Sequence, residues 1–377
     1  MTTDLSQTED LIGRTEIDDF EAILSVVGEE EPDGRHLVAS DYDTIFTWDY
    51  EKGARPKLNK LYEKAKGAQW NGETDLPWDT EVDQERMVYE QAAATGGLGT
   101  GFDRTGTVIE HWGEKEMVEF GVESQNWVLS QFLHGEQGAL VCTAQIVESV
   151  PWIDAKYYAA TQVMDEARHV EVFAKYLDEK LSGHYPINGH LQLLIDGIIA
   201  DSRWDMTYLG MQIMVEGLAL AAFGFMKNMT PDPLLRQLLR YVMADEARHV
   251  AFGVISLQEY YQELTTAELR ERQEFAFEAA VRMRDRFMQQ EVLARMGIDP
   301  KSVVPLVQQS PDRKVFQSLL FSKIVPNCRK LGLLDAGDGW LRTKFTELGV
   351  IDFELWTDSS EDADAFSDVP PTRRDDL

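Results

Sequence analysis

Metal-binding side chains occur in this sequence at matched spacings. The hexapeptide Asp-Glu-Ala-Arg-His-Val is present twice, at 165–170 and 245–250. Thirty residues before the glutamate of each copy lies a second glutamate. The two copies are offset by 80 residues throughout. The matched residues are Glu136, Glu166 and His169 in the first copy and Glu216, Glu246 and His249 in the second. Four carboxylates and two imidazoles in this pattern are the ligand set of a two-metal site within a four-helix bundle.

Helix geometry explains why this spacing suits a metal pair. Residues three apart on an α-helix share one face, so Glu166 and His169 can reach the same ion, and Glu246 and His249 can reach a second. Thirty residues allow about four turns of helix, a short loop and about three turns back at 1.5 Å per residue. Each upstream glutamate would then face its motif across an antiparallel hairpin.

The types of ligand narrow the choice of metal. Carboxylates and imidazoles without a thiolate suit iron or manganese, whereas closed zinc sites favour cysteine and histidine. Asp165 and Asp245 point towards neighbouring helices and are suited to accept the second ring N–H of a ligand histidine. Arg168 and Arg248 can hold these aspartates by charge-assisted hydrogen bonds. An ordinary solvated helix face is disfavoured because both copies carry their partner glutamate in register.

These motifs resemble those of ferritin-like diiron-carboxylate proteins, in particular the branch of bacterial monooxygenase hydroxylases and R2-like proteins. The resemblance covers about 113–262. It implies two iron ions, with a mixed manganese–iron centre as an alternative, bound by the six residues above. It also implies a non-haem enzyme that activates O2 to hydroxylate, desaturate or otherwise oxidise a small organic substrate, with all six ligands in catalytic roles.

Residues one turn from the ligands are candidates for the substrate pocket. They are Leu140, Phe173, Leu220 and Gly253. Phe173 occupies the place where the related radical subunits have a tyrosine, which disfavours a tyrosyl-radical role. Gly253 either opens substrate room beside His249 or permits close approach of two helices. Each apolar position also suits a packed bundle core.

Two further comparisons concern neighbouring positions. Gln162 and Gln212 each lie one turn before a ligand glutamate and could donate hydrogen bonds to it or simply be structural. Arylamine N-oxygenases of this superfamily have an additional histidine ligand one turn before the second Glu-x-x-His motif. Val242 lies there, so that ligand set is not reproduced.

Composition indicates a globular enzyme without nucleic-acid partners. The 377 residues are 44% hydrophobic and carry a formal net charge of −30, which disfavours phosphate binding. Two cysteines without a Cys-x-x-Cys motif indicate a reducing setting, and the N-terminus lacks a basic, apolar leader, so we expect a cytoplasmic protein. The apolar window from Ile213 to Met226 contains Glu216 and is interpreted as a core helix, not a membrane span. The sequence has no electron-carrier motif, and the resemblance implies an external donor, either ferredoxin or a flavoprotein reductase, and a homodimer.

The sequence pattern predicts an all-α, ferritin-like four-helix bundle with additional N- and C-terminal helices. The bundle helices are expected at about 114–149, 152–181, 190–228 and 232–262, between breaks at glycine and proline. Another helix should run from Thr265 or Thr266 to about Met296, with shorter ones near 311–330 and 338–348. We predict an acidic lead over 1–34, one helical domain over 35–350 and an acidic, flexible tail over 351–377.

Three functional hypotheses follow. The first is a diiron oxygenase or oxidase. The second is a metal-handling ferroxidase, peroxidase or iron store, although such cages use shorter chains and scavengers often add a cysteine-rich unit. The third is an R2-like radical subunit or ligand-binding oxidase. The motifs leave the substrate and product open.

Overall fold

A computed structural model describes residues 17–26, 34–95, 97–98, 104–310, 316, 318–362 and 365. Within these residues the regular structure is helical and no β-strand occurs, as the sequence predicts. The helices are α1 (Phe20–Leu24), α2 (Pro56–Gly67), α3 (Gln84–Thr95), α4 (Glu114–Ser149), α5 (Ile153–Lys180), α6 (Gly189–Ala200), α7 (Trp204–Tyr208), α8 (Glu216–Met229), α9 (Pro233–Tyr260), α10 (Thr266–Asp285), α11 (Gln290–Arg295), α12 (Val304–Gln309), α13 (Ile324–Lys330) and α14 (Trp340–Glu347). A π-helical segment, Leu209–Val215, joins α7 to α8, and short 3-10 turns cover Arg286–Met288, Pro300–Ser302, Ile351–Leu355 and Ser359–Glu361.

Two helical hairpins form the ferritin-like bundle. α4 packs along α5, while α8 and the π-helical segment pack along α9. α5 contacts α9, which joins the two hairpins, and α2 contacts both of these helices. Each motif therefore lies in the middle of a long helix whose inner face is covered by the other three members of the bundle.

Capping side chains mark where α9 and α10 begin. Asp232 caps α9 by accepting hydrogen bonds from the backbone N–H groups of Leu234 at 2.9 Å and Leu235 at 3.1 Å. Thr265 caps α10 in a reciprocal capping box with Glu268, so the predicted start of this helix is confirmed.

Two predicted long helices are interrupted. The helix predicted over 190–228 stops at Ala200 and restarts at Trp204. Asp201 accepts hydrogen bonds from the backbone N–H and the side chain of Arg203 at 2.9 and 3.0 Å, and this local turn competes with helical hydrogen bonding. The helix predicted to reach Met296 ends at Asp285, and Gln289, with φ of 52°, separates the following 3-10 turn from α11. Both predictions of an unbroken helix are wrong.

Part of the tail predicted over 351–377 packs against the rest of the fold, while its flexibility stays a prediction. Ser359 is buried, donating its backbone N–H to Oδ1 of Asn327 at 2.9 Å and accepting a hydrogen bond from Nδ2 at 3.1 Å. Ala365 is also buried, and the rest of this segment lies outside the described residues. In the acidic lead, Ile23 is buried and its carbonyl lies 2.9 Å from Nε2 of His190. The predicted domain boundaries otherwise stay a prediction.

Among the residues that the structure describes, one helical stretch is long and apolar enough to cross a membrane. It runs over Trp204–Met229 and its most apolar window is 72% buried inside the fold. It also contributes Glu216 to the centre of the bundle, and buried core helices meet the same length and composition criteria.

Candidate metal centre

The six motif residues converge in the middle of the bundle. Each is at most 5% exposed. Ligand atoms from Glu136, Glu166, His169 and Glu246 lie within 4.8 Å of one another, as do those from Glu166, Glu216 and His249. Glu166 thus belongs to both groups. Glu246 also approaches both imidazoles, at 3.2 Å from Nδ1 of His169 and 3.5 Å from Nδ1 of His249.

Both imidazoles present Nδ1 to the carboxylates. Nδ1 of His169 lies 3.1 Å from Oε2 of Glu136, and Nδ1 of His249 lies 2.9 Å from Oε1 of Glu166. The second contact lacks hydrogen-bond alignment, because Nδ1 of His249 has no hydrogen-bond partner among the described residues. Nδ1 is therefore the nitrogen available to an ion on each ring.

The opposite ring nitrogens face aspartates of the other motif copy. Nε2 of His169 lies 3.2 Å from Oδ2 of Asp245, and Nε2 of His249 lies 3.3 Å from Oδ2 of Asp165. A proton held on Nε2 by an aspartate leaves the lone pair of Nδ1 free for a metal. The two copies of the motif thus support each other's histidine.

Arginines surround these aspartates. Arg168 donates to Oδ1 of Asp165 and, at 3.1 Å, to Oδ2 of Asp245, while Arg248 donates to Oδ1 of Asp245. Burial alone would raise the pKa of Asp245, but Arg248 and His169 lower it well below its ordinary value. Asp245 therefore stays ionised and can hold the imidazole N–H.

Sequence reasoning missed two contributors from the segment after α2. Gln69 donates to Oδ1 of Asp165 at 2.9 Å, and the indole N–H of Trp70 donates to Oδ2 of Asp245 at 2.8 Å. Gln69 and Trp70 lie about a hundred or more positions from these aspartates, so no local spacing reveals the contact.

The two glutamines near the motifs behave differently. Gln162 donates its amide N–H to Oε1 of Glu166 at 3.0 Å and to Oε1 of Glu216 at 2.9 Å, which orients two carboxylates from different helices. Gln212 lies in the π-helical segment, is fully buried, and neither of its side-chain polar atoms has a hydrogen-bond partner among the described residues.

Gly253 is a packing residue. A Cβ atom added there would lie 2.6 Å from Cβ of Gln212 and 3.2 Å from Cδ1 of Ile213. The π-helical segment therefore approaches α9 closely, which is the second of the two alternatives that the sequence left open for this glycine. Phe173 is likewise buried against Phe132 and Phe223.

Burial and mutual repulsion leave the carboxylates with unequal charge. Burial raises the pKa of Glu136 to about 8, while burial together with Glu246 and Glu166 raises that of Glu216 well above its ordinary value. Burial would also raise the pKa of Glu166, but attraction to His249 lowers it below its ordinary range. Glu136 and Glu216 therefore tend to keep their protons in the metal-free protein, and bound metal ions would displace these protons.

The donor set fits a pair of iron ions. Buried ligand atoms without a hydrogen-bond partner among the described residues are Oε2 of Glu166, Oε2 of Glu216, both carboxylate oxygens of Glu246 and Nδ1 of His249. Buried polar atoms normally find partners, so this concentration of unsatisfied ligand atoms around one point is what a metal site presents. Oxygen and imidazole donors suit iron or manganese.

A small cavity adjoins the centre, and a larger cavity shares one wall residue with it. The larger, about 530 Å³, is lined mainly by apolar side chains from α4, α8 and the Arg286–Met288 turn. The smaller, about 20 Å³, is lined by Glu136, Glu216, Glu246, Arg286 and others. Phe132 lines both cavities. Leu140, Phe173, Leu220 and Gly253 line neither of these two cavities, and their role as pocket residues stays a prediction.

A family model described as p-aminobenzoate N-oxygenase AurF matches residues 144–332, half of the chain. The chain belongs to the AurF family. The match includes Glu166, His169, Glu216, Glu246 and His249 and leaves Glu136 outside. The protein is accordingly an O2-dependent non-haem diiron oxidoreductase of the oxygenase or oxidase type. The predicted superfamily, fold class, enzyme class and diiron cofactor are confirmed.

Solved structures similar to this chain include three of R2-like ligand-binding oxidase. A variant with anaerobically reconstituted Mn/Fe cofactor shares 16% identity over 74% of this chain and 94% of its own, with a TM-score of 0.47. The oxidase after photoconversion shares 16% identity over 74% of this chain and 94% of its own, with a TM-score of 0.45. Another Mn/Fe variant shares 17% identity over 70% of this chain and 96% of its own, with a TM-score of 0.42. A search of curated proteins gave no significant match.

Proposed function

We propose that this AurF-family protein binds two iron ions through the six converging residues and uses O2 to oxidise an organic substrate held in the apolar cavity. Glu136 and His169 would hold one ion, and Glu216 and His249 would hold the other. Glu166 and Glu246 approach ligand residues of both groups and could reach either ion. The convergence of these buried, unsatisfied ligand atoms carries the proposal.

A bound ferrous pair supplies the electrons that reduce O2. The surrounding residues prepare its ligands: Asp165 and Asp245 hold the Nε2 protons of the two histidines, and Gln162 orients Glu166 towards Glu216. Burial excludes water from this chemistry, which limits loss of the oxidant to solvent.

The larger cavity supports a substrate with an apolar, aromatic or chain-like body. Its volume of about 530 Å³ lies within the range of small-molecule sites. Its walls offer rings and thioethers from Trp112, Phe120, Phe132, Phe225, Met226, Met229, Phe287, Met288 and Phe316. Ring faces and polarisable sulfur atoms suit a flat apolar body.

N-oxygenation of an aromatic amine is a second candidate, favoured by the family model. Val242, fully buried one turn before Glu246, weighs against direct transfer because the arylamine N-oxygenase pattern has a histidine there. Conversion of 4-aminobenzoate to a hydroxylamino or nitro product would support this candidate, and oxidation at carbon alone would oppose it.

The remaining partners and the location are part of the same proposal. An external ferredoxin or flavoprotein reductase would return electrons to the irons, and its basic patches would be attracted by the net charge of −30. Two buried, free cysteines suit a reducing cytoplasm. We also expect a homodimer without a membrane span.

Anaerobic iron loading followed by one exposure to O2 tests the proposal. We expect two irons per chain and O2 consumption that yields oxidised product within a single turnover. Uptake of many irons into a large shell would instead support iron storage. A stable tyrosyl radical by electron paramagnetic resonance, without substrate oxidation, would contradict the oxygenase.

A further inference from the structure

Arg286 is a buried cation at the edge of the metal centre. It begins the 3-10 turn after α10 and is 3% exposed. Its Nε and Nη1 atoms have no hydrogen-bond partner within the described part of the chain. The guanidinium lies over the ring of Phe287, 4.5 Å from its centroid, and the adjacent Asp285 is engaged by Arg284 at 2.8 Å.

A buried, positively charged guanidinium is stabilised by a neighbouring anion. Burial lowers the pKa of Arg286 to about 9, so the side chain still carries its charge near neutral pH. Buried charges are normally paired, because water no longer stabilises them. Among the described residues no carboxylate forms an ion pair with Arg286, which leaves this requirement unmet.

The glutamates of the metal centre do not meet it once iron is bound. The four ligand carboxylates carry −4, and two ferrous ions carry +4, so the loaded centre has a formal charge of −4 + 4 = 0. Arg286 then faces a neutral cluster. No described residue supplies its counter-charge, and a ligand that enters the cavity could provide it.

The cavities indicate the shape of that ligand. Arg286 lines the small cavity of about 20 Å³, which has room for one or two atoms. Phe132 is a shared wall between this space and the apolar cavity of about 530 Å³, and Phe287, the next residue after Arg286, lines the larger one. A ligand with a small polar end and an apolar body would fill both.

Resting on the oxidase function proposed above, we propose that Arg286 anchors the carboxylate of the substrate, whose apolar body occupies the large cavity. The planar fork of a guanidinium matches a carboxylate with two parallel hydrogen bonds. The substrate is therefore an apolar monocarboxylate, held with its acid end beside the metal centre. Arg286 selects the substrate by charge, and the aromatic cavity selects it by shape.

Equilibrium binding to the iron-loaded protein, without reductant, tests the anchor. The probes are biphenyl-4-carboxylate and the neutral biphenyl-4-carboxamide of the same shape, titrated by calorimetry. We expect the wild type to prefer the carboxylate by about tenfold to a hundredfold, as charged hydrogen bonds in a dry site do. Arg286→Met should remove the preference, and Arg286→Lys should keep part of it.

Arg282→Met is the matched control, since Arg282 pairs with Glu278 one turn earlier on α10 and lines neither cavity. It should bind both probes as the wild type does. Iron content and circular dichroism of every variant establish that the fold is retained. Equal affinity for the two probes in the wild type, or an unchanged preference in Arg286→Met, would overturn the anchor.

Different experimental results would contradict the proposed carboxylate anchor and the proposed oxidase function. Arg286-dependent binding of the carboxylate without any O2-dependent product would support the anchor and contradict the oxidase. If the protein oxidised neutral and acidic substrates equally well, and Arg286→Met did not change this, the oxidase function would be supported and the anchor contradicted.

Discussion

Oδ2 of Asp245 on α9 lies 3.2 Å from Nε2 of His169 on α5, so each motif copy orients the histidine of the other. The reciprocal pair, Asp165 with Nε2 of His249, is 3.3 Å apart. This exchange joins the two hairpins at the point where the candidate ligands meet. Metal affinity and the packing of the two hairpins should therefore be coupled.

Asp245→Asn should weaken iron binding about tenfold to a hundredfold, the usual effect of losing a carboxylate behind a histidine ligand. The amide cannot provide the negative charge that holds the Nε2 proton. Competition with a chelator of known affinity measures the change. Asp178→Asn, an exposed position on the same helix as His169, is the control and should bind iron as the wild type does. Equal iron affinity in both variants would contradict the role of Asp245.

Gly253→Ala should lower the free energy of unfolding by about 1–3 kcal/mol, the cost of overpacking a dense core. The added methyl would lie 2.6 Å from Cβ of Gln212, where the π-helical segment approaches α9. Gly197→Ala in α6 is the matched control, because its Cβ would meet nothing within 4 Å and alanine favours the helix. Urea unfolding measures both; a neutral or stabilising Gly253→Ala would show that the close approach does not exist.

Iron affinity should rise with pH between 6 and 8. In the metal-free protein, burial raises the pKa of Glu136 to about 8, and the surrounding carboxylates raise the pKa of both histidines despite the opposing effect of burial. These groups hold protons over this range and must release them to bind metal, so each displaced proton can contribute up to about tenfold per pH unit. Competition titrations at pH 6, 7 and 8 check the sign. A flat or falling affinity would contradict it.

Ala222→Phe should weaken substrate binding and leave iron content unchanged. Ala222 is 4% exposed and lines the large cavity but not the small one, so a ring there would occupy space meant for the substrate body. Titration with biphenyl-4-carboxylate and an iron assay measure the two effects. Unchanged affinity would indicate that the substrate lies elsewhere.

The convergence of the six motif residues could be predicted from the sequence, because within each hairpin it follows from local spacing. Glu136 and Glu166 belong to one hairpin, so helix periodicity and chain length alone bring them together. The exchange of aspartates was beyond that reasoning, since Asp245 and His169 are 76 positions apart and meet only after the hairpins pack. Trp70 and Arg286 reach the centre from outside the bundle motifs, where no periodic signal marks them.

The pocket could not be predicted because its position depends on which layers pack densely. The sequence leaves two alternatives for Gly253, and only the packed structure shows that the π-helical segment lies against it. The cavity instead lies along α4 and α8, beyond Phe132. The interruption at Asp201 was missed for a similar reason: helix propensity on both sides is high, and one side-chain turn decides the outcome.

Iron stoichiometry in Glu246→Ala tests the metal centre most directly. Glu246 approaches both imidazoles, so its loss should remove a ligand shared by the two ions. Glu259→Ala, a half-exposed position on the same helix, is the control. We expect two irons per chain in the wild type and in Glu259→Ala, and loss of bound iron together with O2 consumption in Glu246→Ala. Full iron occupancy in Glu246→Ala would contradict the assignment of this centre.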